Sequence, residues 1–180
     1  AEEAAAEFIA RQGDEGLSEL YAYYGPKVTG RLFQDEINRF DISLGLVNLD
    51  AGNLADREFI GLKPRDPNTG YIETPKTSYN GMVEARLAYY REGWFAPFAE
   101  IGMTPLGGEV GSTFVGRAGF ISFYDAGAWK LEVYRESITE SLLSYTGMRD
   151  PYTGLTWGRT IETALQATMF YSISDIMSLY

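Results

Sequence analysis

The chain has 180 residues, 45% hydrophobic and 22% charged, with a net charge of -10 and neither His nor Cys. That balance belongs to a folded domain rather than a disordered one. The negative charge argues against nucleic acid, which selects basic faces, and the missing imidazoles and thiols remove thiol chemistry, the usual zinc sites and Ser-His-Asp triads. Mean hydropathy is -0.19, and no apolar run approaches the ~18–20 residues of a membrane helix. Membrane strands stay open, because they alternate apolar and polar residues and look mild by average hydropathy.

In chain order, Ala1–Gln12 reads as a helix. Ala5, Phe8 and Ile9 fall at i, i+3 and i+4, and Gly13 stands where a C-cap would. Strand and turn signals begin at Ser18. Ser18–Phe33 is rich in Tyr and small residues, with Gly25-Pro26 marking an edge, bulge or break. Gln34–Asn38 is a polar turn. Phe40–Leu49 alternates, with Phe40, Ile42, Leu44 and Leu46 on one face and Asp41, Ser43 and Gly45 on the other. Asp50–Ser78 is a long loop carrying Lys63-Pro64, Asp66-Pro67 and Thr74-Pro75.

Tyr79–Tyr90 alternates most cleanly: Tyr79, Gly81, Val83, Ala85, Leu87 and Tyr89 oppose Asn80, Glu84 and Arg86. Phe95–Met103 alternates again and closes at Pro105–Gly108. Thr113–Tyr124 and Ala128–Arg135 form a hairpin around Asp125-Ala126-Gly127, with Trp129, Leu131 and Val133 opposing Lys130, Glu132 and Tyr134. Glu136–Gly154 is a second long loop. Thr156–Met169 and Tyr171–Tyr180 supply the last strands. The sum is an all-β chain: an antiparallel up-and-down meander of about eight strands of about 9–12 residues, with a short N-terminal helix.

The charged face of these strands holds Glu84, Arg86, Lys130, Glu132, Arg159 and Glu162. A period of two leaves two placements for them, a wet lumen or the solvated face of a soluble sheet. The mixed signs suit a neutral polymer better than ions of one sign. Tyr and Trp near strand ends, such as Tyr89, Trp94, Trp129 and Trp157, fit interfacial girdles. Acidic pairs such as Asp14-Glu15 and Asp35-Glu36 lack calcium-loop spacing and do not define a hydrolase pair. The echo of DPNTG (Asp66–Gly70) in DPYTG (Asp150–Gly154) is turn chemistry. The residues point to no catalytic group, metal or cofactor.

Three ordered blocks narrow the choice: Arg11–Leu20 (RQGDEGLSEL), Ala99–Ser112 (AEIGMTPLGGEVGS) and Tyr134–Gly158 (YRESITESLLSYTGMRDPYTGLTWG). Together they resemble segments of the C-terminal domain of the bacterial cellulose synthase operon protein C family. The resemblance implies a transmembrane β-barrel in the bacterial outer membrane, with its N-terminal side periplasmic and no enzyme activity. It further implies a porin-like channel exporting an exopolysaccharide, most simply cellulose. The implied partners are the β-glucan chain, outer-membrane lipid, and periplasmic and inner-membrane synthase components.

On this view residues 1–13 are a helical linker from a preceding tetratricopeptide region, and residues 14–180 are a partial barrel. A polymer-wide barrel needs ~16 strands, so the chain reads as the first half of such a domain within a longer protein. The charged set would then line the pore. Leu142, Leu143, Tyr145 and Met148, too apolar for a free loop, would fold inward as a gating loop. The alternatives are a soluble β-sandwich carbohydrate-binding module and a glycoside hydrolase.

Overall fold

The structure, a computed structural model, describes residues 2–16, 21–53, 76–151, 153–174 and 177–179. Its main feature is one antiparallel sheet whose strands follow chain order. β1 (Glu2–Gln12), β2 (Ala22–Phe33), β3 (Asn38–Asp50), β4 (Ser78–Arg91), β5 (Phe95–Leu106), β6 (Phe114–Tyr124) and β7 (Gly127–Ser137) pair in succession. After β7 the chain forms α1 (Leu142–Thr146) and a separate small ladder of β8 (Met148–Arg149) with β9 (Thr156–Trp157). It returns as β10 (Ile161–Ser174) beside β7, and β11 (Met177–Leu179) ends the nine-stranded order. The sheet is not closed, and among the described residues no second large sheet faces it. The architecture is that of a partial β-barrel; the sandwich alternative needs two facing sheets and is set aside.

The expected N-terminal helix is instead β1. It pairs with β2 without interruption, from Glu2 opposite Leu32 to Gln12 opposite Ala22. Helix propensity is a weak prior, and an isolated helix of this length is marginal in water. As a strand the segment completes a ladder and sets Glu7 3.6 Å from Lys27 and Glu3 3.8 Å from Arg31. Residues 2–12 thus belong to the sheet rather than to a helical linker ahead of it. Gly13 caps no helix; its N–H donates to the Tyr21 carbonyl at 2.9 Å.

The connections sort by length onto the two ends of the sheet. Residues 34–37, 92–94 and 125–126 make short turns at one end; 13–21, 51–77, 107–113 and 138–160 make long connections at the other. In the first turn the Asp35 carboxylate accepts from the Ile37 and Asn38 N–H groups at 2.9 and 2.7 Å and from the Asn38 side chain. Those bonds, the Asn38 side chain foremost, hold its pKa below the usual carboxylate value. The long stretch 54–75, with the DPNTG echo, lies outside the described residues.

One expected strand boundary and one expected facing change. Thr156–Trp157 is not the start of β10 but pairs with Met148–Arg149 inside the long connection. Tyr79 does not share the face of Val83. The β3–β4 register shifts between Val47 and Leu49, Gly81 takes φ 68°, and its N–H donates to Asn48 Oδ1 at 2.8 Å. This bulge adds a residue to β4 and turns Tyr79 opposite Leu49, where it is fully buried.

Candidate functional site

The two faces of the sheet differ in kind. On one, Val28, Ile42, Leu44, Leu87, Ile101, Val133 and Leu165 are exposed, Leu165 to 73%. Phe95, Phe120 and Trp129 stack on this face near the short-turn end, with ring centroids 4.9 and 5.1 Å apart. The other face carries the charge. Directly opposed residues share a face, and the register sets Ser43 beside Arg86, Glu100 beside Arg117, Tyr134 beside Arg117, and Glu162 beside Glu136.

These charged side chains are joined. Arg86 donates Nη1 and Nη2 to the two Glu136 carboxylate oxygens at 2.9 and 2.7 Å and lies 3.7 Å from Glu100. Glu100 also accepts from Arg117 at 2.7 Å and from the Tyr90 hydroxyl at 2.6 Å. Lys130 donates to Glu132 at 2.6 Å. On the β1 side, Asp41 lies 3.0 Å from Arg39 and 3.8 Å from Arg31. Glycines make room for this layer. Gly45 lies opposite Glu84, Gly102 opposite Arg86 and Gly119 opposite Glu132. A Cβ on Gly102 would come within 2.7 Å of the Arg86 Cγ.

The charged face is concave. β4 and β7 are separated by β5 and β6 in the sheet. On a flat sheet three strand spacings place them ~14 Å apart, and only curling toward this face brings Arg86 and Glu136 into a two-pronged bond. Arg11 on β1 likewise reaches the Thr139 carbonyl and hydroxyl, beyond β7, at 3.4 and 3.3 Å.

Of the residues singled out from sequence, Arg86, Lys130, Glu132 and Glu162 lie on this concave face, and Glu162 accepts from Tyr134 at 3.2 Å. Glu84 lies there too, but it is capped: the Tyr145 hydroxyl donates to its Oε2 at 3.0 Å. Arg159 is apart from the set. It precedes β10 with φ 54°, is 8% exposed, and is held by the preceding loop, its N–H bonding the Leu143 carbonyl at 2.9 Å. Its guanidinium donates to Thr104 Oγ1 and to the Pro105 carbonyl, the latter at 3.2 Å. It is a buried tie between loop and wall, and burial pushes its pKa down.

The loop itself is built into the concavity. Ser141 and Ser144 form a reciprocal capping box that starts α1, and Gly147 ends it at φ 72°. A side chain there would collide with Val110, so only Gly fits the turn. Leu142, Tyr145 and Met148 are fully buried against Val47, Leu49, Tyr79 and Met82, and Leu143 packs at the margin of this cluster. The Tyr145 and Tyr23 rings lie 6.2 Å apart. Burial first, and Glu84 second, push the Tyr145 phenol pKa up.

Sequence reasoning missed Glu100, Arg117, Glu136 and Arg31, although each sits at an alternate position of a strand whose opposite face is apolar. It also missed the bed under the loop. The signal was local: after Gly45 the inward positions of β3 turn from polar to apolar at Val47 and Leu49.

A meander that curls toward a charged concave face and presents apolar side chains outward is a segment of β-barrel wall. The sequence profile of the family described as "Cellulose synthase operon protein C C-terminus" matches residues 23–180, and the chain belongs to that family. Cellulose synthase operon protein C of Xanthomonas axonopodis pv. citri (strain 306) is 35% identical over 77 residues, 42% of this chain and 5% of that protein. The match therefore covers a small fraction of that relative's length.

Proposed function

We propose that the chain is part of the wall of an outer-membrane channel that exports a β-glucan, cellulose being the natural cargo for a member of this family. The observation that carries the reading is the split between faces. Exposed Leu, Ile and Val fill the convex side along the middle of the strands, where an Arg or Lys facing lipid would cost about 2–4 kcal/mol. The concave side pairs acids with bases. Such a lining offers hydrogen bonds without a net field, which suits an uncharged polyhydroxyl chain sliding past rather than an ion.

β1 begins at the short-turn end, opposite the end of β2. Short turns face the periplasm in such barrels, so the N-terminal side is periplasmic and the long connections point outward. Export is passive; periplasmic and inner-membrane synthase components deliver and push the polymer. The loop around α1 narrows the lumen at its outer end. We assign the chain no catalytic step, because Glu100 and Glu136 are engaged by arginines. A lumen wide enough for a polymer takes ~16 strands, so further strands complete the wall.

The test is conductance of the full-length protein in planar bilayers. A channel of weak ion selectivity, whose current rises when residues 142–149 are deleted, supports the reading. A protein that stays in the aqueous phase without detergent, or an assembled barrel whose current the deletion leaves unchanged, rejects the export channel or the constriction respectively.

A further inference from the structure

Toward the short-turn end the concave face gains aromatic rings. Inward positions of three strands carry phenylalanine there, interleaved with Arg39, Lys130 and Glu132. Phe98 on β5 stands opposite Gly119, Phe123 on β6 opposite Ala128, and Phe170 on β10 opposite the same Ala128. Phe123 is 51% exposed. Phe170 is 38% exposed and Phe98 half-buried, so on a face that elsewhere holds ion pairs these rings leave apolar area open to a ligand. The neighbours matter as well. Gly119 and Ala128 are too small to cover the rings beside them, and the Lys130 ammonium lies 5.3 Å from the Phe98 centroid. Phe98 and Phe123 line one groove of about 380 Å3, within the ~300–1,000 Å3 range of small-ligand clefts.

We propose that this rim is a stacking subsite for the entering glucan. It rests on the reading of the concave face as a glucan path. A β-linked glucan carries its hydroxyls around the ring edge and leaves C–H groups on both ring faces, so it presents flat apolar faces. Those faces lie on Phe98 and Phe123, while Arg39 in the groove and Lys130 beside Phe98 meet the hydroxyl edge. The rings capture the chain end at the periplasmic mouth and orient it before it passes the Arg86, Glu100 and Glu136 network, where contacts are polar and interchangeable. An α-linked glucan coils and cannot lay successive ring faces along the rim, so the subsite selects linkage as well as class.

The experiment is single-channel block of the full-length protein in planar bilayers, with cellohexaose or an α-linked glucose hexamer added on the short-turn side. Wild type is blocked by cellohexaose and more weakly by the α-linked hexamer. The double variant Phe98→Ala, Phe123→Ala weakens cellohexaose block about tenfold, the worth of two ring contacts, while Phe98→Trp keeps it. Open-channel current verifies that each variant is assembled. Cellohexaose block that is unchanged in the double variant overturns the subsite and leaves the export channel standing; the rings are then packing over Gly119. A conducting wild-type channel that cellohexaose does not block overturns both.

Discussion

Arg86 on β4 and Glu136 on β7 are joined by two hydrogen bonds, at 2.9 and 2.7 Å, across two intervening strands. The pair acts as a chord across the curved sheet. Register alone cannot produce curvature, since each ladder fixes only its nearest neighbour. A chord between non-neighbours stabilises one curvature over others. Both side chains are about one-third to one-quarter exposed, at 33% and 27%, so solvent screens the pair. A double-mutant cycle on Arg86→Met and Glu136→Gln, read by urea unfolding in lipid vesicles, gives a coupling of about 1 kcal/mol. Additive single-variant effects would show that the chord contributes nothing.

The loop separates into a polar tie and an apolar bed. Tyr145→Phe removes the bond to Glu84 and leaves the packing, and loosens the loop by about 1–2 kcal/mol. Leu142→Ala opens a cavity in the bed and costs about 2–5 kcal/mol. Both variants speed proteolysis within residues 138–151 and leave heat-modifiable barrel mobility unchanged. Equal cleavage rates for wild type and Leu142→Ala would contradict the burial of this loop.

The Tyr145 phenol also sets a pH dependence. Its pKa in the docked loop lies above the ordinary value of 10.0, with burial the main cause. Docking is therefore fully stable below that value and weakens as pH rises through the docked pKa. Loop cleavage in the wild type accelerates in alkali above pH ~10, and in Tyr145→Phe that acceleration is reduced to what the neighbouring Tyr23 and Tyr79 phenols contribute. A wild-type rate flat through this window would contradict the buried phenol.

Arg159 combines an uncommon backbone with a buried guanidinium. At φ 54° glycine is the relaxed residue, so Arg159→Gly relieves strain while losing the bonds to Thr104 and Pro105. Arg159→Ala loses the bonds and keeps the strain. Hydrogen exchange at the Arg159 and Thr160 amides accelerates in both variants, more in Arg159→Ala, by about 1 kcal/mol between them. The reverse order would contradict the backbone strain at φ 54°, and wild-type exchange in Arg159→Gly would mean that the guanidinium ties carry no weight.

At Gly25 the β2 backbone passes close to β3. A Cβ there would overlap the Leu46 carbonyl oxygen. Gly25→Ala prevents the β2–β3 register from forming and lowers the yield of assembled barrel severalfold, whereas Gly30→Ala, with open space around it, assembles normally. Normal assembly of Gly25→Ala would contradict the close approach.

Much of this fold was legible because its dominant signal is a period of two. Phe40–Leu46 and Trp129–Val133 announce their faces in single-letter alternation. The misreadings have local causes. Ala1–Gln12 carries helix formers, and only its ladder to β2, a non-local contact, makes it a strand. Tyr79 lost its predicted face to one bulge, which Gly81 permits but no periodicity reveals. Arg159 was grouped with Glu162 by proximity, yet the turn between them changes their environment completely. The concave network was only half visible, since partners such as Arg86 and Glu136 are paired by curvature rather than by sequence distance.

The central claim is that the apolar face meets lipid and the charged face meets water. The chain has no Cys, so a single cysteine introduced here is this segment's sole thiol, and any cysteine elsewhere in the full-length protein is first replaced by Ser. Val133→Cys and Leu165→Cys test the convex face; Thr29→Cys and Thr168→Cys test the concave one, in the full-length protein in vesicles. The account predicts that the first pair is quenched by lipid-attached quenchers and ignores a water-soluble maleimide, and that the second pair does the opposite. Val133→Cys and Leu165→Cys reacting with the maleimide as fast as Thr29→Cys would contradict it.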